Sequence, residues 1–319
     1  MGKYEVHMST ALIFPGQGSQ YIGMGKELYD AFLEAREVFE EVDDVLNQHL
    51  SRLIFSGDLE ELTQTQNAQP AIMATSIASL RVLEKQAGKK VRELCQYVCG
   101  HSLGEYSAHA AAGSFSLSET AKLLKVRGVS MNEASEKSSS GMAALIGSTT
   151  QQAEALVLKA GDHGICEIAN DNGAGQVVIS GEMEAINWAI KAAQEFGIRR
   201  AIKLNVSGAF HSKLMESAAI SMKATLLSSN ISKPDIALVA NFNVQIVAER
   251  TEIIESLVAQ VTGRVRWRET MEYLAMQNVD RFIEVGPGIV LSGLAKRINE
   301  SAYSTSICTP NDIEDLLKL

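Results

Sequence analysis

The stretch 141–204 constrains the fold of this chain more than any other, because it reads as an ordered set of short elements. Its patterns predict a strand, helix, strand, strand, helix and strand at 141–147, 151–159, 165–170, 176–181, 183–196 and 199–204. The second helix is predicted because Met183, Ile186 and Ile190 share one face. The DNGAG segment between the middle strands supplies hairpin chemistry. This order is typical of a ferredoxin-like βαββαβ unit, and we expect it to form a small subdomain at 136–205.

Strand and helix patterns alternate on both sides of this unit, which favours a parallel α/β core. Apolar runs predict strands at 10–14, 96–100, 236–240 and 281–285. Helical spacing predicts helices at 68–86, 105–112 and 212–229. We therefore expect a large α/β subdomain built from 1–135 and 206–319, with the small subdomain inserted between these two parts.

Composition limits the class of protein. The chain has 319 residues, of which 46% are hydrophobic, so it can bury a large core. Its net charge of -9 opposes non-specific binding to nucleic acid or to an anionic membrane. No run approaches the roughly 20 apolar residues of a membrane helix, and the first residues lack the apolar core of a signal peptide. We expect a cytoplasmic protein that binds neither nucleic acid nor membrane. An alternative start at Met8 would leave residues 1–7 outside the native chain.

The four cysteines are interpreted as core thiols. They are Cys95, Cys99, Cys166 and Cys308. Their spacing lacks both the pairing of a zinc site and the density of a disulfide framework. Cys95 and Cys99 are expected on one buried strand. No metal site is predicted.

Ser102 is the best candidate for a catalytic residue. It is the centre of a G-x-S-x-G pentapeptide, from Gly100 to Gly104, between a predicted strand and a predicted helix. This context is typical of a nucleophile elbow, in which small flanking residues allow a sharp turn and the hydroxyl projects above the sheet. A serine in front of a helix can instead serve only as its N-cap. The residues favour the nucleophile without excluding the cap.

A serine nucleophile needs a general base, which is usually histidine. The histidines of the chain are His7, His49, His101, His109, His163 and His211. His101 is next to Ser102 on the elbow, so its ring should point away, and His109 lies about two turns along the predicted helix. His211 follows the last strand of the small subdomain, a position that suits a loop-borne catalytic group. It is the candidate base, although an ordinary histidine near a helix start would have the same pattern.

Arg127 is unusual for its predicted position. Helical spacing places it beside Leu123, Leu124 and Met131 on an apolar face. A buried arginine at such a position would need an anion. Alternatively, its stem packs on the core and its head reaches water. The spacing leaves both possibilities open.

The glycine loop at 14–19, FPGQGS, follows a predicted strand but matches neither nucleotide-binding template. Tyr21 occupies the position of the third glycine of G-x-G-x-x-G. Glu27 stands where the Walker pattern needs Ser or Thr after its Gly-Lys. We interpret the loop as one whose main-chain N–H groups donate to an oxyanion.

With these residues in view, the chain resembles the malonyl-CoA:acyl carrier protein transacylase family from about Thr10 to the C-terminus. The motifs that carry the resemblance, in the family's order and approximate spacing, are GQGSQ (16–20), GHSLGE (100–105), RGVSM (127–131), GQVVISG (175–181), FHS (210–212) and EVGPG (284–288). The resemblance implies a large α/β-hydrolase-like subdomain with a parallel sheet plus an inserted ferredoxin-like small subdomain. It also implies a cytoplasmic acyltransferase of fatty acid biosynthesis. Its partners would be malonyl-CoA and acyl carrier protein, with no metal or redox cofactor.

The resemblance assigns catalytic roles to particular residues. Ser102 would be the nucleophile that carries the malonyl group, and His211 would be its base. The main-chain carbonyl of Gln260 would orient His211. The main-chain N–H groups of Gln17 and Leu103 would form the oxyanion hole. The implied reaction is ping-pong, with a malonyl-serine intermediate that passes the group to the phosphopantetheine thiol of the carrier.

The resemblance also implies a set of substrate-binding residues. Arg127 would hold the malonyl carboxylate, since a planar guanidinium makes two parallel charge-assisted bonds to it. The other residues that would line the site are Met131, Asn170, Asn172 and Phe210. The FHS motif and the leucine after the serine resemble the pattern that selects malonyl over methylmalonyl. Arg199 and Arg200, near the end of the small subdomain, are candidates for coenzyme A phosphates.

Two stretches depart from the family pattern. Ala209 stands where the family commonly has proline. The residues at 261–263, VTG, replace a proline-containing approach to Val265. Both departures concern the loops that carry His211 and Gln260, whose shapes are therefore open.

The base is expected to work without a carboxylate partner. No Asp or Glu lies within the ten residues before His211. Glu284, at the end of a predicted strand, is the best-placed acid should one be needed. If Gln260 contributes only its carbonyl, its side chain should matter little.

Two rival functions are weighed against this interpretation. An α/β hydrolase shares the elbow but expects the order Ser, Asp or Glu, then His, with water as acceptor. The inserted βαββαβ unit and Arg127 argue against it. A non-catalytic scaffold that binds the carrier is disfavoured because Ser102, His211 and Arg127 are all present.

Overall fold

The structure is a computed structural model that describes residues 9–319. His7 and the question of whether residues 1–7 are native lie outside the described residues. The strands, in chain order, are β1 (Ser9–Phe14), β2 (Tyr97–Gly100), β3 (Ser140–Ile146), β4 (Cys166–Gly173), β5 (Gln176–Glu182), β6 (Arg200–Lys203), β7 (Ala237–Val239), β8 (Ile246–Val247), β9 (Val279–Val285) and β10 (Tyr303–Ile307).

The helices of the N-terminal part are α1 (Lys26–Ala31), α2 (Leu33–Leu46), α3 (Leu50–Ser56), α4 (Leu59–Thr63), α5 (Thr65–Ala87), α6 (Val91–Leu94), α7 (Gly104–Ala111) and α8 (Leu117–Ser135). The later helices are α9 (Thr150–Ala160), α10 (Met183–Ala192), α11 (Glu216–Ser228), α12 (Arg250–Thr262), α13 (Trp267–Met276), α14 (Val290–Ile298) and α15 (Pro310–Leu317). Short 3-10 turns lie at Gly161–His163, Ala193–Phe196 and Lys213–Met215.

The larger sheet has the strand order β10-β9-β1-β2-β7-β8. All neighbouring strands are parallel except β7 and β8, which pair antiparallel. Leu12 and Phe14 of β1 pack into one apolar cluster, and Ala11 and Ile13 pack into another on the opposite face. A strand covered on both faces reads as a continuous apolar run, as the sequence of β1 does. The expected α/β class with a parallel sheet is confirmed.

The smaller sheet has the order β4-β5-β3-β6, and every pair in it is antiparallel. Its apolar face packs against α9 and α10 through side chains such as Leu145, Ile179, Leu156 and Ile186. This is the strand order of a ferredoxin-like βαββαβ unit, so that part of the expected fold is also confirmed.

The hairpin between β4 and β5 is tighter than the DNGAG pattern suggested. β4 continues through the first part of that segment, and Gly173 pairs with Gln176. The loop is therefore only Ala174 and Gly175, whose φ angles are 50° and 77°. Gly173 has a positive φ of 74° as well, and the pairing of β4 with β5 shifts register between Asp171 and Gly173, so a bulge in β4 accompanies the tight turn.

The chain enters and leaves the small sheet at one place. Ser135 is the last residue of α8, and Gly208 follows β6. A Cβ built on Gly208 would lie 1.9 Å from Ser135 Oγ, so only glycine allows this approach. The segment between them therefore begins and ends at adjacent points of the large subdomain.

Helices α5 and α8 cross closely beside the large sheet. A Cβ on Gly128 of α8 would lie 2.5 Å from the Cα of Gln66 in α5, so the glycine permits the contact. Arg127 and Gln69 are buried in the helices that meet there. The crossing thus brings the guanidinium of Arg127 against α5, which presents polar side chains inside the core.

Three local expectations need correction. Cys95 ends α6 and precedes the strand that holds Cys99, although both thiols are buried. The helix expected at 212–229 begins as a 3-10 turn and becomes α-helical only at Glu216. The helix expected at 183–196 is α-helical to Ala192 and continues as a 3-10 turn to Phe196. Across residues 9–319, no helix is both long and apolar enough to cross a membrane.

Candidate active site

Ser102 lies in a strained turn between β2 and α7. Its φ is 54°, a left-handed value that is uncommon for a residue with a side chain. A Cβ on Gly100 would lie 2.0 Å from the carbonyl oxygen of Gly104, and one on Gly104 would lie 2.2 Å from that of Phe14. The two glycines of the pentapeptide are thus required for the backbone to turn this sharply.

The hydroxyl of Ser102 faces a histidine and an arginine. Its Oγ lies 2.7 Å from His211 Nε2 and accepts a hydrogen bond from Arg127 Nη2 at 3.1 Å. The N-cap position of α7 is Leu103, and no side chain caps it. Ser102 therefore does not act as the helix cap, which was the alternative interpretation of the motif.

His211 is held from its other ring nitrogen. Nδ1 lies 2.9 Å from the carbonyl oxygen of Gln260 and 3.1 Å from that of Gly263. Carbonyls only accept hydrogen bonds, so Nδ1 carries the proton and Nε2 is left to accept one from Ser102. Burial, followed by the positive charge of Arg127, lowers the pKa of His211 to about 3. The ring is therefore neutral at neutral pH.

Arg127 is buried rather than snorkelling, with 1% of its surface exposed. Nη1 donates to Gln69 Oε1 at 2.8 Å, and Nη2 donates to Gln260 Oε1 at 2.8 Å as well as to Ser102. Burial lowers the pKa of the guanidinium. Within residues 9–319 it forms no ion pair with a carboxylate. A positive charge in this state is a ready site for an anion.

The side chain of Gln260 is involved as well as its carbonyl, contrary to the expectation that it should matter little. Besides accepting from Arg127, its Nε2 donates to the carbonyl oxygen of Ser102 at 3.0 Å and to Glu105 Oε2 at 2.6 Å. The side chain is fully buried. One residue of α12 therefore contacts the arginine, the elbow and, through its main chain, the histidine.

Asn241 and Glu105 support the elbow and were missed by the sequence reasoning. Asn241 Oδ1 accepts from the N–H of Ser102 at 2.8 Å, and its Nδ2 donates to the carbonyl of Gly100 at 2.5 Å. Glu105 Oε2 accepts from the N–H of Asn241 at 3.2 Å. Burial raises the pKa of Glu105 to about 7. Only the E of GHSLGE offered a signal, since a charged residue next to an elbow and inside an apolar helix is unusual.

Two main-chain N–H groups that were expected to bind an oxyanion make no hydrogen bond within residues 9–319. They are those of Gln17 and Leu103. Gln17 lies on the glycine loop, which faces the elbow closely enough that a Cβ on Gly16 would lie 2.6 Å from the carbonyl of His101. The N-terminus of α7 adds a favourable dipole beneath the same position.

A cavity of about 360 Å³ opens onto Ser102, Arg127 and His211. Four residues expected to bind substrate line it, namely Met131, Asn170, Asn172 and Phe210. His101 also lines the cavity, and its Nε2 lies 2.9 Å from Asn172 Oδ1. Its ring thus points away from Ser102 and towards the small subdomain.

The two arginines expected at coenzyme A lie outside this cavity. Arg199 lines a neighbouring groove together with Arg297 of α14, and the groove shares Gln176 and Val290 with the cavity wall. Arg200 lies exposed on β6. The groove therefore contains Arg199 but not Arg200, and it also contains Arg297, which the sequence reasoning did not single out.

Glu284, the acid considered as a possible partner for the base, faces another element. Its Oε2 accepts from the N–H of Ser292 in α14 at 2.8 Å. Burial raises its pKa. The two acceptors at His211 Nδ1 are both main-chain carbonyls. The departures at 261–263 still leave Gly263 in position to supply one of them.

No cluster of three or more His, Cys, Asp or Glu side chains within residues 9–319 has the arrangement of a metal site. The arrangement that the structure does build around one cavity is a serine, a neutral histidine and a buried arginine without an ion pair among the described residues. Such a set can form an ester on serine and hold a negatively charged acyl group.

Comparison with known proteins covers most of the chain. The acyl transferase domain family matches residues 11–309. The malonyl CoA-acyl carrier protein transacylase of Bacillus subtilis (strain 168) is 42% identical over 305 residues, which are 95% of each chain. The protein of that name from Escherichia coli (strain K12) is 35% identical over 309 residues, which are 97% of this chain and 99% of that one.

Solved structures show the same likeness. The acyl-carrier-protein-S-malonyltransferase of Bartonella henselae superposes with a TM-score of 0.94 at 48% identity, covering 98% of this chain and 99% of that one. A malonyl-transacylase in complex with its type II PKS acyl-carrier protein superposes with a TM-score of 0.93 at 35% identity, covering 97% and 99%.

Proposed function

We propose, because this chain belongs to the malonyl-CoA:acyl carrier protein transacylase family, that it transfers a malonyl group from coenzyme A to the thiol of an acyl carrier protein. The family match, the relatives' names and the solved complex with a carrier protein support the two partners. The residues of the cavity supply the chemistry that such a transfer requires.

The first half-reaction forms an ester on Ser102. His211 Nε2 removes the proton of the hydroxyl while Oγ attacks the thioester carbonyl of malonyl-CoA. The carbonyl oxygen becomes an oxyanion, which the N–H groups of Gln17 and Leu103 stabilise. The carbon–sulfur bond then breaks, and coenzyme A leaves as a thiol with the proton from His211. The product on the protein is a malonyl-serine ester.

The second half-reaction reverses these roles. The phosphopantetheine thiol of the carrier gives its proton to His211 and attacks the ester carbonyl. The same N–H groups hold the second oxyanion. Collapse of that intermediate breaks the bond to Ser102 Oγ, which recovers its proton from the histidine. Side-chain and main-chain groups suffice for both steps, so the proposal requires no metal or redox cofactor.

Arg127 binds the malonyl carboxylate in this proposal. The guanidinium is buried, carries no ion pair within the described residues and lies 3.1 Å from the nucleophile. A bound carboxylate would also offset the charge that helps to depress the pKa of His211. The base would thus become better able to take a proton when the correct substrate is present.

The remaining proposed contacts are of two kinds, those with the malonyl group and those with coenzyme A. Met131, Asn170, Asn172 and Phe210 line the cavity and are proposed to shape the site for an unbranched malonyl group. Arg199 is proposed to contact a coenzyme A phosphate from the neighbouring groove, whereas Arg200 would have to reach it from the exposed face of β6. The proposal includes a cytoplasmic location, which cell fractionation would test.

The unpaired Arg127 beside Ser102 is the observation that carries the proposal. The test is intact-mass measurement after mixing the protein with malonyl-CoA, followed by addition of acyl carrier protein. We expect a gain of one malonyl group, which then moves to the carrier. A carrier that lacks its phosphopantetheine arm is the matched control and should leave the label on the protein. Release of free malonate at the same rate with either carrier would instead indicate a hydrolase.

A further inference from the structure

Arg127 makes its side-chain hydrogen bonds to uncharged oxygens. The three oxygens that receive its hydrogen bonds are Gln69 Oε1, Gln260 Oε1 and Ser102 Oγ. A guanidinium only donates, so each amide must turn its oxygen towards the arginine. The positive charge is therefore oriented by neutral oxygens, and the carboxyl that also acts on it, Glu105, lies beyond Gln260 and forms no ion pair with it.

Gln69 is held in this orientation from its other end. Its Nε2 donates to Thr65 Oγ1 at 2.9 Å, one turn earlier in α5. Thr65 Oγ1 in turn donates to Gln17 Oε1 at 3.1 Å. Since a hydroxyl has one proton, Thr65 must accept from Gln69, which fixes the amide. A continuous set of hydrogen bonds thus joins the arginine to the side chain of Gln17 on the glycine loop.

Gln69 lies where a charged side chain would pair with Arg127. The side chain is fully buried and packs where α5 and α8 cross. A glutamate there would have almost the same shape, but it would bring a carboxylate against the guanidinium. It would also lose the donor to Thr65. The arginine would then be paired before any substrate arrived.

We propose that Gln69 is a specificity-determining residue, which holds Arg127 through an uncharged oxygen and so keeps the positive charge available for acyl groups that carry a carboxylate. This inference rests on the proposed function of the same site. Gln69 acts through Arg127 and Gln17, and it is therefore a positioning residue rather than a catalytic one.

The test compares malonyl-CoA with acetyl-CoA as acyl donors for Gln69→Glu. We expect kcat/KM for malonyl labelling of Ser102 to fall about a hundredfold, because the substrate carboxylate must compete with an internal one. Acetyl labelling should change by less than about threefold, because acetyl has no carboxylate to bind. Equal losses for both donors, or no loss for either, would overturn the inference.

Gln64→Glu is the matched control. It makes the same chemical change at an exposed position just before α5. Its ratio of malonyl to acetyl labelling should equal that of the wild type. A shift as large as that of Gln69→Glu would show that added charge near the start of α5, rather than contact with Arg127, sets the ratio, and the inference would fail.

A second variant covers the case in which Gln69→Glu does not fold, as judged by circular dichroism. Gln69→Met keeps the volume and removes the hydrogen bond to Nη1. We expect malonyl labelling to fall about tenfold, the size of a lost bond to a charged group, with acetyl labelling nearly unchanged. Parallel losses would contradict the inference. Failure of the wild type to accept malonyl would instead contradict the proposed function itself.

Discussion

The loops that carry Ser102 and His211 place both residues at left-handed φ angles, 54° and 58°, yet different parts of the chain determine their shapes. The elbow turns sharply because Gly100 and Gly104 lie within it and leave room for the backbone. The histidine loop is closed by a hydrogen bond from Ser212 Oγ to the carbonyl of Ala209, and its glycine, Gly208, meets a residue distant in sequence, Ser135. The ring of His211 is oriented by carbonyls that lie 49 and 52 residues further along the chain.

This difference explains why the turn at Ser102 leaves a motif in the sequence, whereas the orientation of the His211 ring does not. A sharp turn requires small residues at fixed spacing, so the elbow leaves a motif. Main-chain carbonyls are common to all residues, so the partners of His211 leave no trace in residue type. We therefore expect substitutions at the elbow to lower acyl transfer most. Substitution of a carboxylate that could only have served as a triad partner of His211 should lower it least.

Ser102→Ala should produce the largest effect and would separate chemistry from shape at the elbow. Malonyl labelling should fall about a millionfold, as when the serine of a catalytic triad is removed. The fold should remain, since alanine is smaller than serine. Intact mass after mixing with malonyl-CoA measures the label, and circular dichroism checks the fold. A label that persists on the folded variant would place the nucleophile elsewhere.

Arg127→Ala tests whether Arg127 binds the carboxylate of the acyl group beside Ser102 and His211. Loss of a charged partner inside a desolvated site costs about 2 to 5 kcal/mol, so kcat/KM for malonyl transfer should fall by the factor that corresponds to this free energy. Acetyl transfer should fall far less, because acetyl makes no ion pair. Steady-state kcat/KM for both donors gives the comparison. Equal losses would mean that the arginine only supports the elbow.

The pH dependence of labelling tests the histidine loop. The base acts in its unprotonated form, which predominates above its pKa, and burial together with Arg127 lowers that pKa to about 3. Acetyl kcat/KM should therefore fall less than about twofold from pH 7 to 5.5, whereas a histidine with a pKa near 6.5 would lose about tenfold. Acetyl-CoA is used because its acyl group does not titrate.

Glu105 is the control for that profile, because burial raises its pKa to about 7 and it bonds to Gln260. An inflection near pH 7 that disappears in Glu105→Gln belongs to this carboxyl. An inflection near 6.5 that survives in Glu105→Gln would mean that His211 is far more exposed to water than its surroundings indicate.

Glu284→Gln should have the smallest effect, less than about threefold on transfer. Its carboxylate bonds to the N–H of Ser292 rather than to His211. Loss of a triad carboxylate costs about ten-thousandfold in serine proteases, so the two outcomes are well separated. Gln260→Ala is the informative companion, since it removes the bonds to Arg127, Ser102 and Glu105 and should cost more than Glu284→Gln. The reverse order would indicate that a carboxylate supports the base.

Much of the fold could be predicted because its signals are local. The run at β1 and the alternation from β3 to β6 gave bounds within a few residues of those observed. The loop of the hairpin was predicted too long, since Asp171 and Asn172 are typical turn residues that here continue β4. The pairing of β7 with β8 left no signal in such short strands.

The residues of the candidate site also differ in whether their sequence signal is local. Ser102 stands in a motif, and Arg127 is a charge on an apolar helix face, so each could be singled out from residue type and spacing. Gln69, Asn241 and the side chain of Gln260 could not, because an amide in a helix or after a strand is ordinary until its long-range partner is known. Their roles depend on how α5, α8 and α12 pack.

The contact of Gly208 with Ser135 gives the small subdomain the character of a cassette. Ser135 and Gly208 flank it and lie in contact, so exchanging the segment between them for that of a relative would leave its entry and exit points together. Asn170 and Asn172 would travel with the cassette, while the nucleophile and base would stay behind. Because β4 also bonds to Val265, two residues beyond the Gly263 carbonyl that contacts His211, such chimeras should keep the reaction centre intact only where that pairing is preserved.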